Sequence, residues 1–96
     1  MNKPTITIDG KEIQMKSKAR LWKTIAKFST ENGKLPIIDA GEKYCEVIAT
    51  AFGVTTEEVL DNLEIDEVLP KYFEVYGAVA DLLTAGVDKK NETAET

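Results

Sequence analysis

This chain has no histidine and a single cysteine in 96 residues. The first absence removes the side chain that most often acts as a general base near neutral pH, and the commonest metal ligand. The second excludes an intrachain disulfide. With no signal-like apolar stretch at the N-terminus, it points to a reducing cytosol. No apolar run approaches the roughly 20 residues needed to span a bilayer, so no membrane role is expected. Also missing are a glycine-rich phosphate loop, EF-hand spacing and a Cys/His cluster, so neither cofactor nor metal is expected. The carboxylates fall mostly at helix starts or on polar faces, where capping and solvation account for them. Cys45 has no predictable activating base and reads as a buried structural residue. The chain is therefore not expected to be an enzyme.

What is present suits a single small globular core: 43% hydrophobic and 30% charged residues. The net charge of −5 is divided unevenly. Met1 to Lys34 carries eight Lys/Arg against three Asp/Glu, whereas Leu35 to Thr96 carries four against fourteen. Opposite blocks on so small a protein can attract within the fold, between copies, or toward a charged partner.

The expected fold is α+β: an N-terminal two-stranded β-hairpin packed on about four α-helices. Asp9-Gly10 is a type I′ turn signal. It pairs Ile8 with Lys11, Thr7 with Glu12, Ile6 with Ile13 and Thr5 with Gln14. One face then carries Ile6, Ile8, Ile13 and Met15, and a register slipped by one would mix the faces. A first helix is expected over Lys18 to Glu31, with Ser17 as N-cap, Asn32-Gly33 as stop, and Leu21, Trp22, Ile25 and Phe28 toward the core. A loop follows from Lys34 to Ile38. Asp39 and Glu42 suggest a capping box for a second helix over Ala40 to Phe52, ended by Gly53. Its stripe is Tyr44, Val47, Ile48, Ala51 and Phe52. Thr55 and Glu58 repeat the box for a third helix over Thr56 to Asn62, with Val59, Leu60 and Leu63 inward.

The last helix is expected to start at Asp66 or Pro70, with Pro70 confined to the first turn, and to end at Gly86. Leu69, Tyr72, Phe73, Tyr76, Val79, Ala80 and Leu83 line one side. Val68, Val75 and Leu82 widen it past the roughly 100° stripe of a surface helix. Gly77 in mid-helix invites either a close approach by another element or simple tolerance. Residues 1–86 thus form the domain, and 87–96 a flexible polar tail.

The opening ITIDGKEIQMK, the apolar basic helix after it, and the acidic helical region closing near AVADLLTAGVDKK resemble the small tail assembly chaperones of long-tailed bacteriophages. The likeness is closest to those of phages and prophages of Gram-positive bacteria, and spans roughly Thr5 to Lys90. It implies a non-enzymatic protein of the host bacterial cytoplasm. Such a protein would keep the tape-measure protein soluble and help tail-tube subunits assemble around it. Many such chaperones are made in two lengths, the longer by ribosomal frameshifting, and codons at Lys89-Lys90-Asn91 could supply the slippery site for one here. The resemblance transfers no catalytic residue.

On this reading the broad apolar side of the last helix is the expected client surface: Val68, Tyr72, Val75, Tyr76, Val79 and Leu82. The basic residues Lys18, Arg20, Lys23 and Lys27 are expected to meet an acidic face of a neighbouring copy, giving a homo-oligomeric ring or filament. The alternative is a small cytosolic regulator binding nucleic acid, or a nucleic-acid-binding protein, through the basic first helix. Direct nucleic-acid contact is disfavoured. The would-be recognition helix, TTEEVLDNLE, holds four carboxylates and no basic residue, and phosphate would repel it.

Overall fold

The computed structural model describes residues 3–32 and 35–95, with side chains over 3–31 and 35–85. Two strands come first, β1 (Thr5–Ile8) and β2 (Lys11–Gln14). They pair antiparallel, with Thr5 opposite Gln14, Ile6 opposite Ile13, Thr7 opposite Glu12 and Ile8 opposite Lys11. Asp9 at φ 50° and Gly10 at φ 81° make the left-handed two-residue turn that this register requires. Ile6, Ile8 and Met15 are buried and Ile13 packs against them, so one face of the hairpin docks.

Four helices follow: α1 (Ala19–Asn32), α2 (Ile37–Phe52), α3 (Thr56–Asn62) and α4 (Ile65–Glu95). The architecture is α+β and mostly helical. Helix α2 is its centre, packing on α1, α3 and α4. Ala40, Cys45, Val47, Ile48, Ala49, Ala51 and Phe52 of α2 are all buried. Rings from three helices meet at one joint. Phe28 lies 4.9 Å from Tyr44 and 5.6 Å from Tyr72, and Tyr44 lies 4.8 Å from Tyr72. Tilted and edge-on pairs at such spacing add to area burial.

Polar links hold the hairpin in place. The Asp9 backbone N–H donates to Asn62 Oδ1 at 2.9 Å. Lys71 Nζ donates to the Thr5 carbonyl at 2.7 Å. Lys16 N–H donates to the Ala51 carbonyl at 2.8 Å, stitching the β2–α1 connector to the end of α2. There Gly53 adopts φ 70° and its N–H donates to the Ala49 carbonyl, a left-handed helix stop.

Several helix ends depart from the sequence expectation. Helix α1 starts at Ala19, so Lys18 rather than Ser17 flanks it. Gly33 and Lys34 lie outside the described residues. Helix α2 begins at Ile37, not Ala40, and Asp39 is inside its first turn rather than capping it. Pro36 flanks the start without a side-chain cap. Its fixed φ of −56° leads into the helix, and its carbonyl accepts from the Ala40 N–H at 2.9 Å. Asp39 still stabilises the start through the positive end of the helix dipole. The box at Thr55 does form: Thr55 Oγ1 accepts from the Glu58 N–H at 3.1 Å, and Glu58 Oε1 accepts from the Thr55 N–H at 3.0 Å.

Helix α4 begins at Ile65, which puts Pro70 in its second turn rather than its first. The Asp66 carbonyl therefore has no intrahelical N–H to accept from. At the helix start, Glu67 Oε1 accepts from the Glu64 N–H at 2.8 Å. Gly86 does not end the helix, which runs on to Glu95. A glycine stops a helix where it forms a left-handed cap, as Gly53 does; inside a helix it only lowers propensity. A Cβ added at Gly77 would meet nothing within 4 Å, so no close approach accounts for this glycine.

Candidate functional site

The apolar surplus of the sequence lies on the surface in two places. The first is a groove between α1 and the middle of α4. In α1 the core positions are Leu21, Ile25 and Phe28, spaced four and three residues apart. Trp22 is one residue out of phase with them. It is half exposed, at 50%, instead of lying in the core as expected. In α4 the buried positions are Tyr72, Val75 and Val79, with Val68 and Ala78 packed beside them. Phe73, Tyr76 and Leu83, expected inward, are exposed at 61%, 49% and 48%. The true stripe is thus rotated toward the residues expected only to widen it.

Between the exposed edges of α1 and α4 runs a cleft of about 220 Å³, lined by Trp22, Ile25, Ala26, Ser29, Tyr76, Val79, Ala80 and Leu83. A second hollow of about 190 Å³ continues it past Trp22 to Ser17, Lys18 and Leu82. The two share Trp22, Val79 and Leu83 and form one open groove. Asp81, the only acid on that part of α4, lines the opposite side of the helix with Lys3 and Thr5.

The six expected client residues therefore divide. Tyr72, Val75 and Val79 are buried at 5%, 0% and 8% and hold the core together, while Val68 packs against it. Tyr76 and Leu82 are exposed and lie on the groove. Trp22 and Leu83 are groove residues too, although helical spacing had pointed both toward the core. The signal for Trp22 lies in its phase, one position off the Leu21/Ile25/Phe28 stripe.

The four basic residues of the first helix region also divide. All are exposed. Lys18 lines the groove toward α4, whereas Lys27 lies on the α2 side near Glu31, Lys43 and Glu46. By the 100° step of the helix, Lys23 lies on the outer arc between them and Arg20 lies just past Lys27 on the α2 side. Among the described residues none of the four is ion-paired; the pairs are Lys43–Glu46 at 3.2 Å and Lys71–Glu74 at 3.3 Å.

The second apolar place is a corner where the start of α2 meets α3 and the start of α4. A hollow of about 330 Å³ there is lined by Ile37, Ile38, Gly41, Tyr44, Cys45, Leu60, Ile65, Val68 and Leu69. Leu60, expected inside, is 44% exposed. Ile38 and Ile65 stand out at 87% and 96%. Ile37 and Ile38 fall in the span expected to be a loop, where no periodicity singles them out.

Both places are lined mostly by apolar side chains. Among the described residues no group of three or more His, Cys, Asp and Glu could hold a metal. Burial, with the Glu42 charge adding to it, pushes the Cys45 thiol above its ordinary value of 9.0. That keeps it protonated and unreactive. Burial likewise raises Tyr72 above 10.0, helped by Tyr44 and Tyr76 and opposed by Ser29. Among the described residues no helix is long and apolar enough to cross a membrane. No protein-family model, curated protein or solved structure matches the chain.

Proposed function

We propose that this chain is a non-enzymatic tail assembly chaperone of a long-tailed phage or prophage, acting in the bacterial cytoplasm. It would hold helical segments of the tape-measure protein and pass them to tail-tube subunits. The observation that carries the reading is the α1–α4 groove, where Trp22, Tyr76, Leu82 and Leu83 are left exposed on a chain whose core is already filled. An apolar groove between two helices takes the apolar face of a third. Lys18 at its end, with Lys23 farther out on the arc of α1, would favour a client helix with an acidic flank. The resemblance of ITIDGKEIQMK and the helical layout to such chaperones supplies the identity of the client.

Co-expression with a tape-measure protein tests it. The wild-type chain should raise the soluble fraction of that protein, and a Trp22→Ala, Leu83→Ala double variant should not. Equal rescue by both would remove the groove from the reading. No rescue by the wild type would remove the chaperone itself.

The exposed cations of α1 keep one rival in view: a regulator binding nucleic acid, or a nucleic-acid-binding protein. Direct binding would give a gel shift at low salt that fades as salt rises. No shift at low salt excludes direct contact with nucleic acid.

A further inference from the structure

The hollow at the α2–α3–α4 corner, about 330 Å³, is lined almost wholly by apolar side chains. Ile38 and Ile65 form parts of its wall and stand 87% and 96% exposed. It shares no lining residue with the α1–α4 groove, so it is a separate surface. Two isoleucines beside an open apolar hollow lose their contact with water only when something covers them.

The charge around the hollow has one sign. Residues 35–42 hold two carboxylates, residues 57–70 hold six, and neither segment has a Lys or Arg. Side chains three or four residues apart on a helix are surface neighbours. That spacing sets Glu42 beside Ile38, Asp66 beside Leu69 and Glu57 beside Leu60, one exposed carboxylate on each of the three helices. The Glu42 charge also reaches the Cys45 thiol in the hollow wall. The described cations on α2 and α4 are engaged elsewhere. Lys43 pairs with Glu46 at 3.2 Å on the α1 side, and Lys71 donates to the Thr5 carbonyl at 2.7 Å. The starts of α2 and α4 add roughly half a positive charge each, far short of neutralising these acids.

We propose that the Ile38/Ile65 corner docks a basic amphipathic helix of another protein. The apolar face of that helix enters the hollow, and its Lys or Arg residues on both flanks meet the carboxylates of α2, α3 and α4. The walls are helical and offer no strand edge, so the bound segment must satisfy its own backbone hydrogen bonds, as a helix does. A second copy of the chain cannot supply it. Helix α1 is the one helix with more bases than acids, and its Leu21, Ile25 and Phe28 are already buried in its own core. The corner therefore takes a different partner from the groove and binds it whether or not the groove is occupied.

The test uses the full chain and two synthetic peptides of about 15 residues, near the least that holds a helix in water. One peptide carries leucines along one face and lysines on both flanks; the other has glutamate in place of every lysine. Fluorescence anisotropy should show the lysine peptide binding, and weakening as salt rises. The glutamate peptide should bind more weakly by roughly tenfold or more. Ile38→Ser with Ile65→Ser keeps the charge and should cost the lysine peptide roughly tenfold or more. Glu42→Gln with Asp66→Asn keeps the apolar wall and should weaken binding and flatten its salt dependence. Leu83→Ser, in the groove, should leave it unchanged. The substituted side chains are exposed, and an unchanged melting temperature shows that each variant folds; if the isoleucine variant does not, the amide variant carries the test. Equal binding of the two peptides, undiminished binding by either corner variant, a loss confined to Leu83→Ser, or no binding of the lysine peptide would each overturn the proposal. None of these outcomes touches the chaperone reading, which stands or falls on the groove and the tape-measure protein.

Discussion

Helices α2 and α4 are both rich in apolar residues, yet the fold uses them differently. Helix α2 buries seven of its sixteen residues and is covered on three sides. Helix α4 buries Tyr72, Val75 and Val79 and leaves Phe73, Tyr76, Leu82 and Leu83 at the surface. An apolar side chain in α2 is therefore mostly there for stability. In α4 the same kind of side chain serves either the core or something outside the chain, and its phase on the helix decides which. Scattered surface leucines need no explanation, but aromatic and aliphatic side chains gathered along one groove do.

The sharpest way to break that contrast is to truncate one phenylalanine on each helix. Phe52, 1% exposed, sits at the end of α2. Phe52→Ala should cost about 3–5 kcal/mol, the range for emptying a packed aromatic site, and should leave so small a domain largely unfolded at 37 °C. Phe73, 61% exposed on α4, should cost about 1 kcal/mol or less when cut to Ala. Urea midpoints of the two variants check this. Comparable losses would mean that α4 is as much a core helix as α2.

The same contrast explains which parts of the molecule were legible in the sequence. The hairpin was, because Asp9-Gly10 allows one turn geometry and strict alternation allows one register. Helix α3 was, because Thr55 and Glu58 cap each other through neighbouring atoms. Helix α4 was legible as a helix but not in orientation. Its apolar residues surround it too widely for periodicity to choose a phase, and only the positions of α1 and α2 do so. The start of α2 was misplaced because no side chain caps it and Pro36 supplies the entry by backbone geometry alone. The groove was half legible through Tyr76 and Leu82, and the acidic corner was not, since it joins residues far apart in the chain.

A smaller effect separates two glycines, one at the end of α2 and one within α4. Gly53 adopts φ 70°, and a Cβ there would sit 2.8 Å from the Lys16 Cε. Gly53→Ala should destabilise by about 1–2 kcal/mol through the left-handed backbone alone, the flexible Lys16 end moving aside. Gly77 in α4 has an ordinary helical backbone and open space around it. Gly77→Ala should instead stabilise by about 0.5–1 kcal/mol. Thermal unfolding gives both signs in one experiment. Destabilisation by Gly77→Ala would show that something approaches that face of α4 closely.

Alkaline titration probes the core side of the comparison. Cys45 on α2 and Tyr72 on α4 both have their acid dissociation raised by burial. Each is more readily ionised in the unfolded chain, so stability is intact below about pH 9, the ordinary Cys value, and falls as pH rises past it. Tyr72 adds its share above its ordinary value of 10.0. Cys45→Ser with Tyr72→Phe should flatten the alkaline limb of a plot of urea midpoint against pH. An unchanged limb would mean that other groups set it. The same burial should make Cys45 react with thiol reagents more slowly in the folded protein than in urea.

The smallest stability effect belongs to the residue most out of place by ordinary folding rules. Ile65 is 96% exposed at the first position of α4, beside Asp66 and Glu67. In the isolated chain it has almost no packing to lose. Ile65→Ser should therefore move the urea midpoint by no more than the equivalent of about 0.5 kcal/mol, within the range of surface changes. The measurement discriminates most with and without the lysine-flanked peptide. If the isoleucine is used only against a partner, the variant and the wild type should unfold alike on their own. Their midpoints should then diverge as peptide is added, because binding most stabilises the chain that binds best. A loss without peptide would place Ile65 within the chain's own packing. A pair of curves that coincide at every peptide concentration would leave it with no role in docking a partner.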